Sequence, residues 1–140
     1  MNAALAKAPG PRVLVVEDEA MVAMMLEDML LDLGCEIVGP AASLSGGLTL
    51  VRAGGFDAAV LDVNLAGEKA FPIADALAER GIPFVYATGY GRAGLRGEDE
   101  QRLVLQKPYT VQELARNLHA AGILAEAPRE DGPPKAANNP

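Results

Sequence analysis

The fold is decided by Ala58-Ala59-Val60-Leu61-Asp62, an apolar run that ends on a carboxylate. A second apolar run, Val13-Leu14-Val15-Val16, is followed directly by Glu17-Asp18, and a third, Leu103-Val104-Leu105, comes just ahead of Lys107-Pro108. Near-continuous apolar runs are typical of strands buried on both faces of a parallel sheet. Charges next to an apolar core must be hydrated, paired or bound to metal, so their position at these strand ends indicates a functional site.

Strand-like and helix-like runs alternate along the chain. The predicted strands cover 12–17, 36–39, 57–61, 83–87 and 102–105, and the predicted helices cover 20–33, 44–53, 70–80 and 110–121. This alternation predicts an α/β, flavodoxin-like (βα)5 fold, a doubly wound parallel sheet with strand order 2-1-3-4-5. Ligands of such sheets bind at the carboxyl ends of strands 1 and 3, which here carry Glu17-Asp18 and Asp62.

The fourth helix is predicted to be short or mobile. Four glycines lie between the fourth and fifth strands, and each glycine inside a helix costs about 0.5–1 kcal/mol relative to alanine; they are Gly89, Gly91, Gly94 and Gly97. The folded domain is predicted to span 12–122, with a flexible N-terminal arm at 1–11 and a disordered C-terminal tail at 123–140.

Composition excludes several classes of function. The 140 residues are half hydrophobic and 22% charged, which suits one globular domain. A net charge of −7, with only 12 basic residues spread along the chain, argues against nucleic-acid binding. The single cysteine, Cys35, allows no internal disulfide and is expected to be a buried, inert thiol. No segment resembles a signal peptide or a membrane span, so the protein is expected to be cytoplasmic and away from membranes.

The carboxylates at the predicted sheet edge need a counter-charge. Three converging carboxylates would repel one another, and at least one would have its pKa raised. Mg²⁺ suits an oxygen-only site that keeps several waters. Asp18, Asp62 and the backbone carbonyl of Asn64 would make such a site.

Asp62 is also a candidate nucleophile, because a carboxylate can attack phosphorus to form an aspartyl-phosphate. Lys107 and the Thr88 hydroxyl could each reach a phosphoryl oxygen and help to neutralise its charge. Taken alone, an acid at a strand end is more often a cap, and Thr88 a turn hydroxyl. The combination of the acids with Lys107 favours phosphoryl transfer.

Four motifs resemble those of the response-regulator receiver domain, in the right order. They are Val15-Val16-Glu17-Asp18-Glu19, Leu61-Asp62-Val63-Asn64-Leu65, Ala87-Thr88-Gly89 and Gln106-Lys107-Pro108-Tyr109. The resemblance implies that a histidine kinase or phosphotransfer protein phosphorylates Asp62. It also implies Mg²⁺ held by Asp18 and Asp62, with Glu17 acting through water, phosphate contacts from Thr88 and Lys107, and a cis peptide bond before Pro108.

One position departs from the usual receiver pattern. Receivers commonly carry Tyr or Phe three residues before the lysine, as a ring that changes rotamer, whereas this chain has Val104. Instead, Pro83-Phe84-Val85-Tyr86-Ala87-Thr88-Gly89-Tyr90 resembles the Pro-Phe-x-Phe-Ala-Thr-Gly-Tyr motif of the alphaproteobacterial "FAT GUY" single-domain regulators, with Tyr86 in place of Phe. That resemblance implies a role in stress-response signalling.

The first predicted helix is more apolar than one buried stripe requires. Its methionines could pack in the core or form an adaptable binding surface. In receivers the start of this helix docks against the kinase, so Met21 and Met25 are candidate kinase contacts. His119, the single histidine, is expected to be structural.

The leading hypothesis is a stand-alone, monomeric response regulator that signals by phosphorylation-dependent protein binding. It would be no enzyme beyond catalysing its own phosphorylation and dephosphorylation. The alternative is a phosphate sink or relay intermediate without a partner-binding output. A pseudo-receiver that binds constitutively is disfavoured because every charged pocket residue is present.

Overall fold

The computed structural model describes residues 10–125. Predictions for the arm before residue 10 and the tail after 125 lie outside the described residues. In chain order the elements are β1 (Arg12–Val16), α1 (Ala20–Asp32), β2 (Glu36–Ala41), α2 (Leu44–Ala53), β3 (Ala58–Asp62), β4 (Asn64–Leu65), β5 (Glu68–Lys69), α3 (Phe71–Glu79), β6 (Phe84–Thr88), β7 (Val104–Gln106) and α4 (Val111–Ala120). Two short 3-10 turns, Gly91–Gly94 and Gly97–Asp99, lie between β6 and β7.

The five main strands form one parallel sheet in the order β2-β1-β3-β6-β7. This order is the predicted 2-1-3-4-5 arrangement, so the flavodoxin-like fold is confirmed. The chain changes direction across the sheet between β1 and β3, which brings the ends of these two strands side by side. The carboxylates that follow β1 and end β3 are therefore brought close together.

Each face of the sheet carries its own apolar core, because successive strand residues point to opposite faces. One core joins Leu14, Val16, Leu61 and Tyr86 to α2 and α3, where Val51 and Ile73 are buried. The other core joins strand residues to α1 and α4; its members include Val13, Val15, Val60, Val85, Leu26, Leu30, Leu114 and Leu118. With both faces covered, the strand ends are the part of the sheet open to a ligand.

The segment after β6 has no α-helix; its regular structure is the two 3-10 turns. The expectation of a short fourth helix is therefore confirmed. The glycine-rich sequence explains the result, because glycine loses more conformational entropy than other residues when it enters a helix and offers no side chain for packing. Among the described residues, no helix has both the length and the apolar character that crossing a bilayer requires.

Several boundaries differ from the sequence-based prediction. β2 continues to Ala41 rather than ending at 39, through a Gly39-Pro40 step where its pairing with β1 shifts register. Proline is tolerated there because β2 is an edge strand. At the other end, Ile123 and Leu124, which the prediction assigned to the tail, pack against the α1/α4 core.

β4 and β5 form a small antiparallel hairpin that was not predicted from the sequence. It follows β3 directly and turns through Ala66 and Gly67, both with positive φ. Glycine adopts that conformation without strain. The hairpin is important because it carries main-chain donors to the carboxylates of the site.

Candidate functional site

Three carboxylates meet where β1 and β3 end. Glu17 and Asp18 follow β1, Asp62 is the last residue of β3, and one carboxylate oxygen from each lies within 4.8 Å of the others. Glu17 is only 3% exposed and Asp62 8%, whereas Asp18 is half-buried. The predicted convergence of these acids is present in the structure.

Lys107 supplies a positive charge to this cluster. Its ammonium Nζ lies 2.7 Å from Glu17 Oε1 and 3.4 Å from Asp62 Oδ2. The backbone N–H of Lys107 donates to the Thr88 carbonyl at 2.9 Å, so the ends of β6 and β7 hold the lysine in place. The peptide bond from Lys107 to Pro108 is cis. The direct Glu17–Lys107 contact was not among the sequence-based expectations, which had Glu17 acting through water.

The cluster has three carboxylates and one ammonium group, so negative charge is in excess. Burial, followed by the neighbouring Glu17 charge, raises the pKa of Asp62 to about 6 against the opposing effects of Lys107 and a backbone hydrogen bond from Asn64. Burial alone would lower the pKa of Lys107, but its hydrogen bond to Glu17 and the Asp62 charge raise it above the ordinary value. The cluster therefore favours any added cation.

Main-chain donors orient the carboxylates. The Ala66 N–H donates to Asp18 Oδ2 at 2.9 Å, and the Asn64 N–H donates to Asp62 Oδ1 at 3.3 Å. The Glu19 N–H donates to Glu17 Oε2 at 3.1 Å. Two of these donors belong to the β4–β5 hairpin and its turn. A short Asn-Leu-Ala-Gly stretch after a strand was the available signal for this turn.

Thr88 is the last residue of β6, the strand that pairs with β3 on the side away from β1. Its hydroxyl oxygen accepts a hydrogen bond from the Tyr90 N–H at 3.1 Å, and the residue is buried. Asp18, Asp62, Thr88 and Lys107 border one open cleft of about 390 Å³. Its lining residues are Asp18, Glu19, Asp62, Asn64, Thr88, Gly89, Tyr90 and Lys107.

The donor set of this cleft fits a hard divalent cation. All three side-chain ligands are carboxylates, and such oxygen donors are what Mg²⁺ prefers. The raised pKa of Asp62 gives the cluster an electrostatic reason to accept positive charge. The cleft also has room for further ligands beside the acids.

Comparison with solved structures supplies the family. The chain is 46% identical to SdrG from Sphingomonas melonis Fr1, covering 84% of this chain and 100% of that one, with a TM-score of 0.75. A BeF3-activated conformation of SdrG, recorded from Pseudomonas melonis Fr1, matches at 47% identity over 81% of this chain and 96% of that one, with a TM-score of 0.70. The chain belongs to the response-regulator receiver domains.

Curated relatives of this receiver domain include the transcriptional regulatory protein PdtaR of Mycobacterium tuberculosis. It is 32% identical over 107 residues, which cover 74% of this chain and 52% of PdtaR. The chain spans about half the length of the curated relatives it matches. No model of a protein family matches the chain.

A second, apolar cleft of about 350 Å³ runs beside the acidic one on this receiver domain. It lies between α1 and the residues that follow β7, and Met25, Pro108 and Tyr109 are among its walls. Met25 is 57% exposed, and Met21, nearer the start of α1, is 76% exposed. The prediction that part of α1 stays uncovered is confirmed; what binds these methionines stays a prediction.

Two other single residues lie away from the cleft. Cys35 is buried just before β2, and burial raises the pKa of its thiol, as suits an unreactive core residue. His119 is exposed on α4, with Nδ1 3.3 Å from the Leu124 carbonyl oxygen. That contact fits the structural role expected from the sequence.

Proposed function

We propose that this protein is a single-domain response regulator that is phosphorylated on Asp62 by a histidine kinase or a phosphotransfer protein. Phosphorylation would change its affinity for a protein target. The observation that carries the proposal is the arrangement around Asp62: two acids lie beside it, the Lys107 ammonium contacts both Glu17 and Asp62, and Thr88 lines the same cleft. Likeness to SdrG, whose solved chain is covered completely, supports a function within the receiver domain itself.

Asp62 would be the nucleophile of the transfer. One carboxylate oxygen forms a bond to phosphorus while the bond from phosphorus to the donor atom breaks, and the electron pair leaves with the donor. The Asn64 N–H, which donates to Oδ1, holds the carboxylate with Oδ2 beside Lys107. The carboxylate thus has an orientation before the donor arrives.

Lys107 and Thr88 would bind the transferred group. The Lys107 ammonium is 3.4 Å from Asp62 Oδ2, close enough to follow a phosphoryl oxygen attached there. The Thr88 hydroxyl faces the same cleft and donates no hydrogen bond to another described residue in the structure. The Thr88 O–H is therefore available to donate, and Lys107 already faces the oxygen on which negative charge would accumulate.

Mg²⁺ would be held by Asp18 and Asp62, with Glu17 nearby and the Asn64 carbonyl as a further ligand. When bound, the cation offsets the carboxylate repulsion and stabilises negative charge on the phosphoryl group. The residues of this chain contribute the geometry: the hairpin N–H groups fix Asp18 and Asp62 in the orientation described above.

The kinase-facing surface is proposed to include Met21 and Met25, which are both exposed on α1. Met25 lines the apolar cleft together with Pro108 and Tyr109, and Lys107 borders both this cleft and the acidic one, which supports a surface beside the proposed phosphorylation site. Flexible methionines suit a surface that must accommodate another protein.

Mass spectrometry after treatment with a small phosphodonor such as acetyl phosphate tests the proposal. Wild-type protein should gain one phosphoryl group in the presence of Mg²⁺, on the peptide containing Asp62. Asp62→Asn should gain none, and chelation of the cation should abolish labelling of the wild type. Glu68→Gln, which removes an exposed acid from the neighbouring hairpin, is the matched control and should be labelled normally.

Label that persists in Asp62→Asn would refute the assignment. The signalling half of the proposal needs a second measurement, a pull-down with and without beryllofluoride. Proteins retained only with beryllofluoride would support a binding output, whereas an unchanged set would favour a phosphate sink or relay.

A further inference from the structure

A second recess opens beside the acidic cleft. It has a volume of about 380 Å³ and is lined by Asn64, Lys69, Tyr90, Ala93 and Gly94. Asn64 and Tyr90 also line the acidic cleft, so the two spaces adjoin along these residues. Lys69 is the charged residue of the recess, whereas most charged residues of the acidic cleft are acids. The recess therefore places a positive charge next to a negative site.

The β4–β5 hairpin fixes the position of Lys69 relative to the proposed nucleophile. Lys69 pairs directly with Asn64 across the hairpin, and the Cβ atoms of such opposite residues are about 4.5–5.5 Å apart. The Asn64 N–H in turn donates to Asp62 Oδ1 at 3.3 Å. Directly after Lys69, the Ala70 N–H donates to the Val63 carbonyl at 2.8 Å and closes the hairpin onto the end of β3. Lys69 is therefore held beside the residue that orients the Asp62 carboxylate.

The ammonium group of Lys69 is available to a ligand. Within residues 10–125, its side chain forms no ion pair and no hydrogen bond with another residue. Lys107, by contrast, already contacts Glu17 at 2.7 Å and Asp62 at 3.4 Å. A Cβ atom at position 94 would lie 3.9 Å from Lys69 Nζ, so Gly94, which has no side chain, leaves the space next to this ammonium open.

A cation at this place answers a charge problem of the acidic cleft. A small acyl phosphate is an anion, and the three carboxylates around Asp62 repel it. During phosphoryl transfer, negative charge also develops on the acyl oxygen that leaves. A cation placed where this charge develops lowers the free energy of the transition state. Lys107 contacts Asp62 itself and thus faces the phosphoryl group, whereas Lys69 lies in the adjoining recess, where the acyl group has room.

We propose that the recess is a subsite for the leaving group of a small acyl phosphate donor, with Lys69 Nζ donating to the acyl oxygen. One Asp62 carboxylate oxygen forms a bond to phosphorus while the bond from phosphorus to the acyl oxygen breaks. The electron pair stays on the acyl oxygen, which leaves as a carboxylate paired with the Lys69 ammonium and takes up no proton. The subsite favours donors that release an anion. This inference rests on the proposed function.

Rates of Asp62 labelling with two small donors test the subsite. Acetyl phosphate releases acetate, which is an anion, whereas phosphoramidate releases ammonia, which is neutral. With acetyl phosphate, Lys69→Ala should be labelled about three- to fivefold more slowly than the wild type, which is the size of effect that an exposed ion pair supplies. With phosphoramidate the two proteins should be labelled at the same rate. Lys69→Arg keeps the charge and should restore most of the wild-type rate with acetyl phosphate.

Two controls separate contact at the recess from other effects of the substitution. Arg52→Ala is the matched variant, because it removes the same charge from an exposed position on α2 outside both clefts; its rates should equal those of the wild type. Beryllofluoride resembles the phosphoryl group but has no leaving group, so Lys69→Ala and the wild type should bind it equally in an amide-shift titration. Weaker binding by Lys69→Ala would place this lysine on the phosphoryl group and would overturn the subsite.

The labelling outcomes distinguish the subsite from the proposed function. If acetyl phosphate labels Asp62 in the wild type and Lys69→Ala equally fast, or if Lys69→Ala is slowed equally with both donors, the subsite is refuted and the proposed function stands. If neither donor labels Asp62 in the wild type, the proposed function fails, and the subsite fails with it.

Discussion

Replacing Asp62 by asparagine should stabilise the metal-free protein near neutral pH. Burial, with help from Glu17, raises the pKa of Asp62 from 3.8 to about 6. That shift of about 2 pKa units corresponds to roughly 3 kcal/mol, at about 1.4 kcal/mol per unit. The folded protein pays this free energy to keep the carboxylate ionised. Asparagine does not ionise, so the substitution should raise the free energy of unfolding by about 1–3 kcal/mol.

The sign follows from proton linkage. Between the unfolded pKa of 3.8 and the folded value of about 6, the folded protein binds a proton that the unfolded chain has released. Wild-type stability should therefore lose the Asp62 contribution as pH rises through this window and then level off. Asp62→Asn has no such contribution. The difference in free energy of unfolding between the two proteins should therefore grow over the same pH window and stay constant above it.

Urea unfolding in chelator-containing buffer, at about pH 4 and about pH 7.5, measures the difference on both sides of the window. Glu68→Gln removes an exposed acid from the same neighbourhood and should change stability by less than about 0.5 kcal/mol. Added Mg²⁺ should reduce the advantage of Asp62→Asn, because it binds the folded wild type more tightly. Equal stability of variant and wild type at the higher pH would refute the reasoning.

Two further substitutions probe how the site is held. Lys107→Ala should lower the free energy of unfolding by about 1–3 kcal/mol in metal-free buffer, because Glu17 is left buried without its cationic partner. Urea unfolding measures this loss, with Lys69→Ala on the exposed hairpin as the control. An unchanged stability of Lys107→Ala would contradict the prediction. Thr110→Ala should cost about 1 kcal/mol by removing the capping box with Glu113 at the start of α4. Thermal unfolding measures that loss against Thr49→Ala, a control that removes an exposed hydroxyl donating to the Ser45 carbonyl. An equal effect of both substitutions would show that the cap is unimportant.

The sheet and the acidic cluster could be predicted because they depend on local patterns and one topological rule. Apolar runs that end on Asp62 and on Glu17-Asp18 predict buried strands, and the winding of a five-stranded parallel sheet then places both ends together. The glycines after β6 predicted a short or mobile element in the same direct way, and two short 3-10 turns lie there.

Contacts between distant residues could not be predicted in this way. The β4–β5 hairpin has only two residues in each strand, too few for an alternating pattern to appear. The direct bond from Lys107 to Glu17 joins side chains 90 positions apart, and the Arg96–Asp75 pair joins a surface turn to a helix. Such contacts depend on side-chain rotamers that only the folded chain fixes. The burial of Asp99 is of the same kind, because an acid in a polar, glycine-rich segment reads as exposed.

The pair β6 and β7 links the two proposed phosphate-binding residues, Thr88 and Lys107, to the segment 91–102 that joins these strands. Thr88 ends β6 and Lys107 follows β7, and the hydrogen bond from the Lys107 N–H to the Thr88 carbonyl makes the two strand ends move together. Along the same pair of strands, Tyr86 lies opposite Val104. A small side chain at 104 cannot act as a rotating ring, but the neighbouring strand supplies the ring of Tyr86, which is buried edge-on to Phe71 and Phe84. Movement at either proposed phosphate ligand would therefore reach Tyr86 through these two strands.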